Sequence, residues 1–245
     1  VVLVAASLTP HPASAAGGTS IATAPTITPG TLQAGGGQSQ EFWRMQLFAS
    51  DRLTVRSDNS ATDRDSLNGG TSFELYEPSV DDYRLPAAQP LNGDHNALVK
   101  DGMAEFSLTA PFTGLGIIDV CFSTRNNACP MAGSPPAPAF SFTVAVTHLA
   151  ALTIGPLPSV RKRGAKLRLT AHVQSPAGTP SGACEFRPVG GHGATGAGPV
   201  ETHDGTCAAT VGVGHGGKVR YRARFTGDDG WSNDAALTRR IRVAK

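Results

Sequence analysis

From residue 38 onward the chain alternates apolar and polar positions in short runs, and nowhere does the spacing follow the helical period. Between Gln38 and Val146 the runs are EFWRMQLF, DRLTVRS, TSFELYE, MAEFSLT, LGIIDVCF and AFSFTVAV, separated mostly by Gly, Pro, Asn or Asp. Each reads as a strand, because a two-residue period lines alternate side chains on one sheet face. After the proline-bearing connection ALTIGPLPSV a second set follows: KLRLTAHV, ACEFR, TCAATV, VRYRARF and LTRRIRV. In the last stretch Val219, Tyr221, Ala223 and Phe225 share one face, as do Leu167, Leu169, Ala171 and Val173 earlier. The expected architecture is all-β: two β-sandwich domains in tandem, at 38–147 and 150–245, the second Ig-like.

Composition supports short strands joined by turns, with 29 Gly, 18 Pro and 16% charged residues in 245. Residues 1–16, VVLVAASLTPHPASAA, combine an apolar run with the small-residue site Ala13-Ser14-Ala15 and read as the remnant of a secretory signal peptide. A flexible segment over 17–37 is expected to follow, and no other apolar run is long enough to span a bilayer. Export makes disulfides the expected state of the 4 cysteines. Three pairings are possible; neighbouring spacing and the domain split favour Cys121 with Cys129 and Cys184 with Cys207. Cys184 shares parity with Phe186, and Cys207 with Ala209 and Val211, so both sulfurs are expected in one core. No Cys-x-x-Cys spacing suggests a metal instead.

The second set, read as GAKLRLTAHVQSPAGTPSGACEF, DGTCAATV and VRYRARFTGDDGWSNDAALTRRIRV, resembles the bacterial Ig-like repeat of surface and secreted proteins over about 150–245. Its most specific part is Phe225, the Gly227-Asp228 turn and Trp231; the Pro180-Ser181-Gly182 turn matches as well. The cysteines and the long loop VGGHGATGAGP depart from the family pattern. Gly227, Asp228 and Trp231 are therefore expected to be structural: a tight turn, its side-chain cap and a ring packed over the sandwich end. More loosely, QSQEFWRMQLFASDRLTVRS, FELYEPS, FTGLGIIDVCF and FSFTVAV resemble the accessory β-sandwich attached to many secreted bacterial peptidases, over about 36–147. The family's Asp before its Leu-Tyr strand is absent, Phe73-Glu74-Leu75-Tyr76 standing there. That resemblance implies a non-catalytic module, some members of which bind calcium or matrix polymers.

Charge divides the chain. Residues 17–149 carry 7 Lys/Arg against 13 Asp/Glu, whereas 150–245 carry 14 against 6, an asymmetry that points to an interaction surface. Arg220, Arg222 and Arg224 alternate with core residues and so share an outward face; Arg240 and Arg242 do the same beside Ile241 and Val243. In an Ig-like order these strands are neighbours. A solvated, aggregation-resistant face is the plain interpretation. A site for an anionic wall polymer, an acidic glycan or the acidic first domain is the functional one.

Other candidates carry less. Asp58, Asp63, Asp65 and Asn68 in DNSATDRDSLNGG offer oxygens for calcium, but Leu67 pushes Asn68 and Gly69 one position late for an EF-hand frame. Gly191–Gly196 and Gly212–Gly217 match G-x-G-x-x-G without opening a helix, so they make no phosphate cradle. His192, His203 and His215, with Glu201 and Asp204, follow no ligand spacing, and no G-x-S-x-G elbow supplies a nucleophile. The expectation is a secreted or cell-envelope, non-catalytic structural or binding module, needing no cofactor. Its alternatives are an accessory part of a secreted hydrolase and, less favoured for lack of interleaved exposed aromatics, an extracellular nucleic-acid binder.

Overall fold

The alternating runs become antiparallel strands in a computed structural model that describes residues 17–35, 40–58, 70–79, 98–100, 103–123 and 140–244. The signal-like stretch 1–16 lies outside the described residues. The chain divides into two compact units, Val1–Val146 and Thr147–Lys245, and among the described residues the regular structure is β apart from one 3-10 turn, Ile21–Thr23. No helix among them is long and apolar enough to cross a membrane.

The first unit contains β1 (Leu32–Gly35), β2 (Gln40–Leu47), β3 (Arg52–Asp58), β4 (Gly70–Tyr76), β5 (Leu98–Lys100), β6 (Met103–Thr109), β7 (Gly114–Ser123) and β8 (Phe140–Thr147). One sheet runs β1-β8-β3-β6-β5 and the other β2-β7-β4. Their facing sides share a core in which Trp43, Met45 and Ile118 meet Leu53, Val55 and Phe142. The Trp43 and Phe142 rings meet edge to face at 4.9 Å, the arrangement that their quadrupoles favour.

The segment expected to be flexible at 17–37 is instead built into this unit over its described part. Gly18 exchanges backbone hydrogen bonds with Phe42, and Arg44 N–H donates to Pro25 O while Ile27 N–H donates to Arg44 O. These satisfy the free edge of β2, which would otherwise expose unpaired backbone groups. Ile21 and Ala24 cover Phe42, Tyr76 and Ile117 on the outer side of the same sheet. The Thr/Ser/Gly/Pro composition reads as loop, and only the edge it covers explains its order.

The second unit contains β9 (Ala151–Ile154), β10 (Val160–Lys162), β11 (Lys166–Gln174), β12 (Gly182–Val189), β13 (Ala197–Glu201), β14 (Thr206–Gly212), β15 (Gly217–Gly227), β16 (Asp234–Leu237) and β17 (Ile241–Ala244). A sheet β14-β11-β9 packs on a sheet β10-β17-β15-β12-β13, with β16 also paired to β15. Here β10 runs parallel to β17, while the other pairs are antiparallel. Cys184 on β12 and Cys207 on β14 are bridged, fully buried in the shared core, so the link ties one sheet to the other.

At the sandwich end, Gly227 N–H donates to Asn233 Oδ1 at 3.1 Å, and Trp231 N–H donates to the Asp228 carbonyl at 3.0 Å. The side-chain cap expected of Asp228 is thus supplied by Asn233, and Asp228 contributes its main chain. A Cβ on Gly227 would stand 2.6 Å from the Trp231 Cβ, which is why glycine occupies the turn. Trp231 is half-buried, packed on the core edge and tilted against His148 at 5.3 Å between centroids. Because part of the ring stays in water, Trp231→Ala is expected to cost about 1–2 kcal/mol, below the range for a fully buried aromatic. A denaturant melt of the full chain checks this value; an unchanged midpoint would mean that the ring contributes nothing.

Candidate functional site

The strand β15, Gly217–Gly227, carries the basic stripe, and its burial alternates from Lys218 to Thr226. Val219, Tyr221, Ala223 and Phe225 are fully buried. Lys218, Arg222 and Arg224 are therefore turned outward and exposed, with Arg220 between them half-buried. Alternate residues of a strand lie about 6.6–6.8 Å apart, so the four cationic residues are evenly spaced along the strand backbone. Arg220 Nε is buried and has no hydrogen-bond partner, an orphan donor in the middle of that row.

Register adds a cation that sequence alone did not assign. Across β12, Arg222 stands opposite Arg187 and Arg224 opposite Glu185, while Arg220 faces Val189. Arg187 Nε donates to Glu185 Oε1 at 2.8 Å, and this carboxylate raises the guanidinium pKa further. Glu185, Arg187, Arg222, Arg224 and Ala235 line a shallow depression of about 240 Å³. The alternation EFRPV at 185–189 held the signal for Arg187, but only the pairing of β12 with β15 reveals which cation it faces.

The other side of β15 departs from a single partner strand. LTRRIRV reads as one run, whereas β16 and β17 are separate and the chain bulges between them. Tyr221 N–H donates to Thr238 Oγ1 at 2.9 Å and Thr238 N–H returns a bond to Tyr221 O, while Val219 pairs with Ile241. Two residues on β15 thus oppose three on its partner, the signature of a β-bulge. Arg222 and Arg224 consequently face Leu237 and Ala235, not the arginines of β17. Arg240 lies in the bulge and is exposed; Arg242 faces Lys218. The like-charge repulsion expected between two arginine rows is reduced to that one pair on this side. Arg163, Lys218, Arg242 and His215 border a further groove of about 900 Å³ at the β10–β17 edge.

The remaining candidates are placed as follows. Asp58 ends β3, its backbone opposite Met103; Asp63, Asp65 and Asn68 lie outside the described residues, as does the side chain of Asp58. Cys121 sits on β7 opposite Gln40, and its side chain and Cys129 lie outside the described residues. His215 N–H donates to His192 O at 2.7 Å, a backbone link that brings two loops together. His203 bridges to Thr206 in a separate hairpin. Among the described residues no group of three or more His, Cys, Asp or Glu is arranged to hold a metal ion.

The first unit holds a buried carboxylate pair that sequence reasoning did not single out. Glu74 on β4 stands directly opposite Asp119 on β7, and both are buried. Gln40 Nε2 donates to Asp119 Oδ2, and Tyr76 OH donates to Glu74 Oε2. Burial first, and the neighbouring Glu74 second, hold the Asp119 pKa well above the usual carboxylate range.

Together these features define an all-β, disulfide-linked chain with a cationic sheet face. No family model and no curated protein matches the sequence. Among solved structures it is similar to PliG, a periplasmic lysozyme inhibitor of g-type lysozyme from Aeromonas hydrophila, at 11% identity and a TM-score of 0.33, over 50% of this chain and 94% of that one. It is also similar to a DUF4785 family protein from Legionella pneumophila, at 10% identity and a TM-score of 0.30, covering 87% of this chain and 61% of that one. The chain thus spans less than two thirds of the Legionella protein.

Proposed function

We propose that the protein is an exported, non-catalytic binding module whose second unit takes a polyanion, such as an anionic wall polymer or acidic glycan, on the outer face of β15. The observation that carries this reading is the row Lys218, Arg220, Arg222 and Arg224, against which the neighbouring strand sets a single carboxylate, Glu185. Guanidinium groups pair bidentately with carboxylate, sulfate or phosphate, and several in a row sum to a field that no isolated surface charge provides. The buried disulfide supports export to an oxidising compartment. The sequence resemblances stay part of this reading, the second unit as a bacterial Ig-like repeat and the first as an accessory β-sandwich.

The test replaces Arg220, Arg222 and Arg224 with Ser in the full chain, since none of the three belongs to the buried parity. Retention on immobilised anionic polymer at low salt is expected to disappear while the melting midpoint holds. A folded triple variant that is retained as well as the parent makes the row a solvated face and ends the proposal.

A further inference from the structure

The spacing of the row carries more than its charge. In an extended peptide three backbone bonds advance the chain by about 3.3–3.6 Å. A phosphodiester chain with three carbons between phosphates, P–O–C–C–C–O, has six backbone bonds per charge. When extended, it repeats at about the two-residue distance of a strand, roughly 7 Å. A glycan with one carboxylate per disaccharide spaces its charges farther apart. Building on the polyanion reading, we propose that the ligand is an extended three-carbon phosphodiester polymer lying along β15, with successive phosphates on Lys218, Arg220, Arg222 and Arg224.

The surroundings of the row match that chemistry. Val189, opposite Arg220, is 42% exposed, and Leu237, opposite Arg222, is 49% exposed. One exposed aliphatic group thus stands beside Arg220 on the β12 side and one beside Arg222 on the β16 side, each suited to carbons of the polymer, while Arg187 and Glu185 hold the β12 positions opposite Arg222 and Arg224. None of the exposed large hydrophobics among the described residues is aromatic, so the face offers no platform for stacking bases. Single-stranded nucleic acid shares the six-bond repeat but gains nothing here from its bases. Glu185 restrains the site, because it occupies Arg187 and stands opposite Arg224.

The test measures binding of the full chain to oligomers of propanediol phosphodiester carrying two to six phosphates. Hexanediol oligomers and oligothymidylates of equal phosphate number, and heparin, serve as comparisons. Affinity is expected to rise with each phosphate through the fourth and then flatten. At four phosphates the three-carbon oligomer should bind about tenfold tighter than the six-carbon one, and log K should fall against log salt with a slope of about −3. Glu185→Gln should tighten binding several-fold by freeing Arg187. Affinity that tracks phosphate number regardless of linker overturns the register and leaves the polyanion reading standing. Oligothymidylate binding well above the propanediol oligomer overturns the proposal in favour of nucleic acid. Failure of every probe, heparin included, removes both readings.

Discussion

Replacing Cys184 and Cys207 together by Ala is expected to lower the stability of the second unit by about 3 kcal/mol, the loop-closure contribution of a bridge of this span. The two cysteines are 23 residues apart in sequence, and each sulfur is fully buried between the sheets. Two effects act together. The bridge restricts the unfolded chain, and its removal also leaves β12 and β14 attached only through packing against Phe186, Val211 and their neighbours. Hydrogen exchange of the β12 and β14 amides in the full chain reads the loss directly. The same acceleration should follow from reductant acting on the parent. Exchange that is unchanged in the double variant would show that the core holds the sheets without the link.

Unit 1 is expected to lose stability as pH rises, through Asp119. The folded protein holds this proton more tightly than the unfolded chain, because burial and the adjacent Glu74 disfavour the anion. The contribution is therefore fully present below the ordinary carboxylate range and is lost as pH climbs through the raised value. Each tenfold difference in proton affinity between the folded and unfolded chain is worth about 1.4 kcal/mol. Asp119→Asn keeps the shape and removes the titration. Its melting midpoint should match the parent in acid and exceed it at higher pH, flattening the profile. Parallel profiles for parent and variant would mean that Asp119 ionises in the fold without cost.

Alternation made the long strands legible, since the inward parity of β11 and β15 could be counted from Leu167 to Val173 and from Val219 to Phe225. The cysteine parity worked for the same reason: Cys184 lies in register with Phe186, and Cys207 with Val211, on facing sheets. Short elements without alternation were not legible. β10 is exposed at every residue, and β13 is set by its pairing with β12. The bulge at Thr238 was equally hidden, because it depends on a hydroxyl accepting the Tyr221 amide. Of the candidate site, sequence carried the outward arginines of β15. The contribution of Arg187 and the restraint by Glu185 follow from strand register, which a single sequence does not encode locally.

The central claim, that a polyanion lies on the outer face of β15, is tested most directly by arginine footprinting of the full chain. Phenylglyoxal modification would be read residue by residue with mass spectrometry, with and without saturating anionic polymer. Arg222 and Arg224 are predicted to lose most of their reactivity when polymer is present. Arg168, exposed on β11 in the other sheet, should react as before. Equal protection of Arg168, or undiminished labelling of Arg222 and Arg224 in the bound protein, would contradict the account.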